Sequence, residues 1–164
     1  MSASAFTLAI FKPHLLKNPV AYCAVERLIA ASGIRIVSRK QLSLTRNQAK
    51  QFYRDHEGKF FYGRLINLMT SGPLEVLVLS GENVITRWRT LMGPTKVFKA
   101  VYSNPECIRS LYGLSDTRNA SHGSDSLASF LTEAAIFFPD QQFPEAAAAA
   151  TTDNCQPVTT GQGT

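Results

Sequence analysis

The run Phe6-Thr7-Leu8-Ala9-Ile10-Phe11, stopped by Lys12-Pro13, sets the frame for the whole chain. An apolar stretch this short, closed by a residue that the following proline pushes out of the helical region, reads as a buried strand. A second such run, Leu74-Glu75-Val76-Leu77-Val78-Leu79, ends at Ser80-Gly81 and reads as a central strand. Between the two, Val20, Cys23, Ala24, Leu28 and Ala31 recur at helical spacing, and Gly33 follows as a left-handed C-cap. Ile34 to Arg39 alternates in the manner of a half-exposed strand. Thr45-Arg46-Asn47-Gln48 has the form of a capping box that opens a helix through Phe52 and Tyr53. Phe60 to Met69 holds another short helix, closed by Ser71-Gly72-Pro73.

After the central strand, Asn83 to Met92 forms a helix bounded by Gly93-Pro94. Thr95 to Ser110 shows little periodicity and is expected to be a functional loop. A short strand near Ala120–His122 precedes a helix from Ser126 to Phe138, with Leu127, Phe130, Leu131, Ala134 and Phe138 on one face. The order strand, helix, strand, helical insert, strand, helix, strand predicts an α+β domain. It is the ferredoxin-like βαββαβ arrangement, an antiparallel sheet with helices on one face. A chain of 164 residues holds one such domain, expected at 1–140. From Gln141 the composition shifts to an alanine run, Ala146 to Ala150, and then to Thr, Gly, Gln and Pro. Residues 141–164 are therefore expected to be a disordered tail.

Composition narrows the chemistry without choosing it. The chain carries a net charge of +5, and its positive balance belongs to the part before the tail, since every Lys and Arg falls at or before Arg118; a basic surface attracts phosphates. Cys23, Cys107 and Cys155 are odd in number and widely spaced, which predicts no disulfide framework and fits a reducing, intracellular compartment. The histidines His14, His56 and His122 have no metal-ligand spacing, so no protein-bound metal site is expected. No run of about 18 or more apolar residues is present, so no membrane span is expected. The first strand begins so early that no removable leader of about 15–30 residues is expected. The choice between cytoplasm and mitochondrion stays open.

The fold class hosts many functions, so the site has to carry the argument. In Asn119-Ala120-Ser121-His122-Gly123-Ser124-Asp125-Ser126 a histidine stands beside a glycine that allows close backbone approach and a serine hydroxyl, with Glu133 eleven positions on. A neutral imidazole attacks phosphorus only if its attacking nitrogen is unprotonated and aimed. A carboxylate on the other ring nitrogen fixes that tautomer and stabilises the developing charge. Glu133, assisted by Ser124, is the candidate orienter of His122. Phosphoryl transfer also needs fixed positive charge, and Lys12, Arg89 and Arg109 could supply it.

Asn-x-x-His-Gly-Ser-Asp-Ser, from Asn119 to Ser126, resembles the signature of the nucleoside diphosphate kinases. Lys12-Pro13, Tyr53, Phe60-Phe61, Ser71-Gly72-Pro73, Arg89, Met92-Gly93-Pro94-Thr95 and Ile108-Arg109 fall into register with the same family, so the likeness spans Phe6 to Phe138. The resemblance implies a ping-pong enzyme. It moves the γ-phosphate of a nucleoside triphosphate to His122 and then to a nucleoside diphosphate, with Mg²⁺ held mainly through the nucleotide phosphates. It also implies that Lys12 and Asn119 contact the sugar hydroxyl and that Tyr53 supports the histidine. Arg89, Thr95 and Arg109 would hold phosphate oxygens, and Phe61, with Leu65 beside it, would stack on the base. Phe60 and Tyr62 are expected in the core.

Three departures stand out. His14 follows Lys12-Pro13 where the family usually has aspartate, Ser110 follows Ile108-Arg109 where it usually has glycine, and the stretch from Thr95 to Arg109 is longer than usual. With Trp88 and the tail, they resemble a divergent branch of the family, the type 6 kinases. The usual hexamer is assembled largely through that stretch and the C-terminal segment, so a monomer or dimer is expected instead. Arg109 rides on the altered stretch, which leaves its aim and the turnover rate open. The same pocket, with the longer basic stretch and the lost hexamer contacts, supports an alternative, a nucleotide-binding interaction module with weak or no turnover. A single-strand nucleic-acid binder is the weakest reading. Phe60, Phe61 and Tyr62 lead into a helix, whereas that function needs aromatics alternating on an exposed strand.

Overall fold

Both strands singled out above are apolar on their two faces, and a strand of that kind needs a cover on each side. The computed structural model describes residues 5–143 and shows how the cover is built. Strand β1 (Ala5–Phe11) lies between β3 (Leu74–Gly81) and β4 (Ser121–Gly123), and β2 (Arg35–Leu42) pairs with the far side of β3. The order β2-β3-β1-β4 is antiparallel throughout, as the βαββαβ reading requires. Ile10 faces His122 across the β1–β4 pair, so the register of this short ladder fixes where the histidine sits.

One face of the sheet, carrying Ala9, Phe11, Leu77 and Leu79, packs on α2 (Pro19–Ala31) and α5 (Val84–Met92). These are the two crossover helices, and they share a face as expected. The opposite face is not bare. Leu8, Ile10, Val76 and Val78 are covered by α3 (Arg46–Phe52), α4 (Tyr62–Met69) and α8 (Leu127–Phe137). The expectation of helices on one face is corrected accordingly. Alternate residues of β1 and β3 are large and apolar toward both sides, and the insert together with the last helix removes the second side from water.

Local signals account for most boundaries. Asn18 caps α2 by accepting the Ala21 amide, Thr45 and Gln48 form a reciprocal capping box on α3, and Ser126 caps α8 through the Ser129 amide. Gly33 takes the left-handed conformation expected of it, with φ of +73°. The segment expected as a loop from Thr95 to Ser110 instead forms two short helices, α6 (Val97–Ser103) and α7 (Ile108–Tyr112). Its apolar residues do not recur as one stripe because only Ala100, Cys107 and Ile108 are buried, while Phe98, Val101, Tyr102 and Leu111 face out. Two single-turn elements were also not foreseen, α1 (Pro13–Leu16) with proline at its first position and a 3₁₀ turn at Arg54–His56. Residues 141–143 pack on the domain. Gln141 bonds Ser38, and Phe143 lies against Phe6 and Phe130 with ring centroids 5.9 and 5.2 Å away. The rest of the expected tail lies outside the described residues.

Candidate active site

Three residues from different elements meet at the exposed edge of the covered face. His122 on β4 and Glu133 on α8 are joined by a 3.1 Å contact between Nε2 and Oε1. The other carboxylate oxygen of Glu133 accepts the Ser124 hydroxyl at 2.5 Å. Ser124 is fully buried, and its oxygen also accepts the Leu8 amide at 3.2 Å, so the carboxylate is tied to β1 through the serine. On the sheet side, the indole Nε1 of Trp88 donates to the His122 carbonyl at 3.1 Å. A Cβ at Gly123 would stand 2.6 Å from Trp88 and from Met92, and this close approach is why the position needs glycine. Phe52 lies edge-on to the imidazole with centroids 4.9 Å apart. His122 is thus gripped from three sides and left partly open on the fourth.

The cations approach from neighbouring segments. Lys12 is buried, and its Nζ donates to Asn119 Oδ1 at 2.7 Å and to the Thr117 carbonyl at 3.2 Å. Asn119 in turn donates through Nδ2 to the Thr95 carbonyl at 3.1 Å. The guanidinium of Arg109 donates to the carbonyls of Gly93 at 2.8 Å and Ser121 at 3.1 Å. Arg89, exposed on α5, lines an open depression with Thr86, Thr90, Gly93, Pro94 and Asp125. Among the described residues no carboxylate forms an ion pair with Lys12, Arg89 or Arg109. Burial and the charge of Arg109 lower the Lys12 pKa to about 7, while burial and Arg89 lower that of Arg109 to about 10. Cations that repel one another and lack counter-charges form a site prepared for an anion.

Tyr53 is buried, and burial followed by the nearby Glu133 charge raises the pKa of its phenol, keeping it a neutral donor beside the carboxylate. From Tyr53 a line of rings leads outward. Tyr53 and His56 are 5.9 Å apart, His56 and Phe61 are 5.5 Å apart, and the Lys59 ammonium stands 5.8 Å from the Phe61 ring centre. Phe61 is half-buried and leaves part of its ring to solvent, whereas Leu65 is buried in the core one helical turn on. Tyr62 packs against the core as expected, but Phe60 does not. It is 86% exposed, because Phe61 and Tyr62 fill the inward side of the turn that opens α4.

All eleven residues singled out in the sequence lie on the segments that form this region. His122, Glu133, Ser124 and Tyr53 form its floor, Lys12, Asn119, Thr95 and Arg109 one flank, and Phe61 another. Arg89 and the Thr95 side chain are exposed. Sequence reading gave no role to Phe52, Trp88, His56 or His14. Phe52 and Trp88 look like ordinary apolar positions of two helices, and nothing in their spacing points at the histidine.

The chain matches the sequence profile described as "Nucleoside diphosphate kinase" over residues 5–143. The chain belongs to the nucleoside diphosphate kinase family. It is 46% identical to "Nucleoside diphosphate kinase 6" of Mus musculus over 138 residues, covering 84% of this chain and 73% of that one. Identity to the Danio rerio protein of the same name is 44% over 140 residues, covering 85% and 79%. The crystal structure of the Aquifex aeolicus nucleoside diphosphate kinase superposes with a TM-score of 0.77 at 34% identity, covering 83% of this chain and 96% of that one. Nucleoside diphosphate kinase activity, on nucleotide substrates, is therefore the function of this domain. Among the described residues no helix is long and apolar enough to cross a membrane.

Proposed function

We propose that His122 is the phosphoryl carrier of this kinase and that Nδ1 is its attacking atom. The observation that carries this reading is the contact between Nε2 and Glu133. A proton held on Nε2 by the carboxylate leaves the lone pair on Nδ1. In the first half-reaction Nδ1 attacks the γ-phosphorus, the N–P bond forms, and the bond to the bridging β–γ oxygen breaks. The nucleoside diphosphate leaves with that electron pair. In the second, a terminal oxygen of another nucleoside diphosphate attacks the same phosphorus, and the electron pair of the N–P bond returns to Nδ1. Glu133 stabilises the imidazolium character that develops, and Ser124 holds Glu133 in place.

The remaining residues bind and orient. Arg109 is fixed by two carbonyls and keeps further N–H groups for phosphate oxygens, while Arg89 and Thr95 reach the phosphates from the open side. Lys12 and Asn119, already bonded to each other, receive the sugar hydroxyl beside the phosphates. Tyr53, itself a neutral phenol, supports the histidine, and Phe61, braced by Leu65, offers a ring face to the base. Stacking of this kind is worth about 1–3 kcal/mol per base and does not depend on its identity. Among the described residues no three His, Cys, Asp or Glu side chains cluster, so the donor set suits a Mg²⁺ carried on the nucleotide phosphates, where it would offset their charge.

Binding without turnover is the less favoured reading. Against it stands Arg109, which the altered stretch leaves buried and tethered by two carbonyls. We infer a monomer or dimer rather than a hexamer, and light scattering would show it; a hexamer mass contradicts it. Intracellular placement rests on the free cysteines, Cys23 exposed and Cys107 buried. Incubation with γ-labelled ATP should give an acid-labile, base-stable phosphoenzyme that discharges to an added nucleoside diphosphate. Full labelling of His122→Ala would remove the assignment.

A further inference from the structure

The turn that delivers the histidine is held by a residue outside the family's signature motif. Ala120 is wholly buried and adopts φ of +71°, one of two non-glycine residues with positive φ among those described. Such a conformation persists only where surrounding contacts enforce it. The Ala120 carbonyl accepts the Lys12 amide at 3.0 Å, and its N–H donates to Nε2 of His14 at 2.9 Å. The residues on either side are the ones the site uses. Asn119 holds Lys12, the Ser121 carbonyl receives Arg109, and His122 follows.

We propose that His14 is a positioning residue for the phosphoryl carrier, fixing the Asn119–His122 turn by accepting the Ala120 amide on its side chain. The inference deepens the reading of His122 and rests on it. An imidazole accepts at Nε2 only when that nitrogen is unprotonated, so His14 works as the neutral ring with its proton on Nδ1. The charged groups that bear on it are Lys12 at the end of β1 and Arg118 before β4, and both oppose a third positive charge. Burial acts first and in the same direction, and the ring's pKa falls to about 4. The ring therefore stays an acceptor throughout the neutral range. It also leaves Lys12 without the anion that an aspartate at this position would provide.

Two substitutions separate position from packing. His14→Phe keeps a ring of similar size and removes the acceptor, whereas His14→Gln offers an oxygen acceptor that does not titrate. In single-turnover phosphorylation by ATP, His14→Phe should slow the chemical step more than about 10-fold at saturating ATP, and His14→Gln should restore it to within about 3-fold of the parent. Amide exchange at Ala120 gives a readout independent of turnover. Protection should be lost in His14→Phe and kept in His14→Gln. Equal rates and equal Ala120 protection in the parent and His14→Phe would overturn the proposal, as would a His14→Gln protein as slow as His14→Phe. A parent that fails to phosphorylate at all would count against His122 as carrier, while the exchange result still decides the role of His14.

Discussion

Between Asn119 and Ser126 the chain is bonded to five other elements, β1, α1, α5, α7 and α8. Asn119 meets Lys12 and Thr95, Ala120 meets His14, Ser121 meets Arg109, His122 meets Trp88 and Glu133, and Ser124 meets β1 and α8. Between Lys96 and Leu114 the chain instead turns Phe98, Val101, Tyr102, Leu111 and Leu114 toward solvent. Only a few side chains of this second stretch enter the body of the protein, among them Ile108 and Arg109. The contrast teaches that the chemistry is mounted on the sheet. The α6–α7 segment contributes one deeply held cation and is otherwise a surface, so its length can vary while Arg109 keeps its place.

If that division is right, substitutions in the two regions should differ sharply. The largest effect is expected from Arg109→Ala, the one residue that crosses between them. Losing a preorganised donor of this kind costs about 2.7–4 kcal/mol of transition-state stabilisation, a fall of roughly 10²–10³ in kcat. Steady-state phosphotransfer checks it, and a loss under about 5-fold would mean that the α6–α7 segment contributes little to catalysis. Next comes Gly123→Ala. Its new methyl would meet Trp88 and Met92 at 2.6 Å, and overpacking of this sort destabilises by about 1–3 kcal/mol. Thermal or urea unfolding would register it, and an unchanged midpoint would show that the β4–α5 contact is looser than it looks.

A smaller effect concerns protons. The folded pKa of Lys12 lies near 7, below its ordinary 10.5, so between those values the unfolded chain binds more protons than the folded one. Stability owed to this group therefore rises with pH across that window and is lost as pH falls through about 7. Nucleotide phosphates should restore the charge, so binding at pH 8 should take up protons. Calorimetry in buffers of different ionisation enthalpy would show the uptake, and Lys12→Gln should reduce it. The smallest effect belongs to the outer face of α6. Phe98→Ser and Tyr102→Ser should each change stability by less than about 0.5 kcal/mol and leave turnover intact. Losses as large as those at Arg109 would erase the distinction between the two regions.

The same division explains what could be read without coordinates. The β1 and β3 runs, the capping box at Thr45 and the glycine after α2 are local signals, and each marks its element within a residue or two. The meeting of His122, Glu133 and Ser124 was legible because an oriented imidazole calls for a carboxylate nearby, and the three side chains are joined through Glu133. The second helical layer was missed. Its contribution depends on α3, α4 and α8 converging from distant parts of the chain, although β1 being apolar toward both sides already required some cover. Helices α6 and α7 were missed because, lying on the surface, they bury only one or two residues each and leave no periodic stripe. The bonds of His14 and Trp88 to backbone atoms at and near His122 carry no sequence pattern, since a backbone amide or carbonyl is common to nearly all residues.

The account stands on one nitrogen. Phosphorylated protein should be digested under alkaline conditions and the attachment site read by mass spectrometry and ³¹P NMR. The geometry predicts a single phosphoryl group on Nδ1 of His122, removed when a nucleoside diphosphate is added. A phosphoryl group on Nε2, or on any other residue, would contradict the orientation by Glu133 from which the mechanism is built.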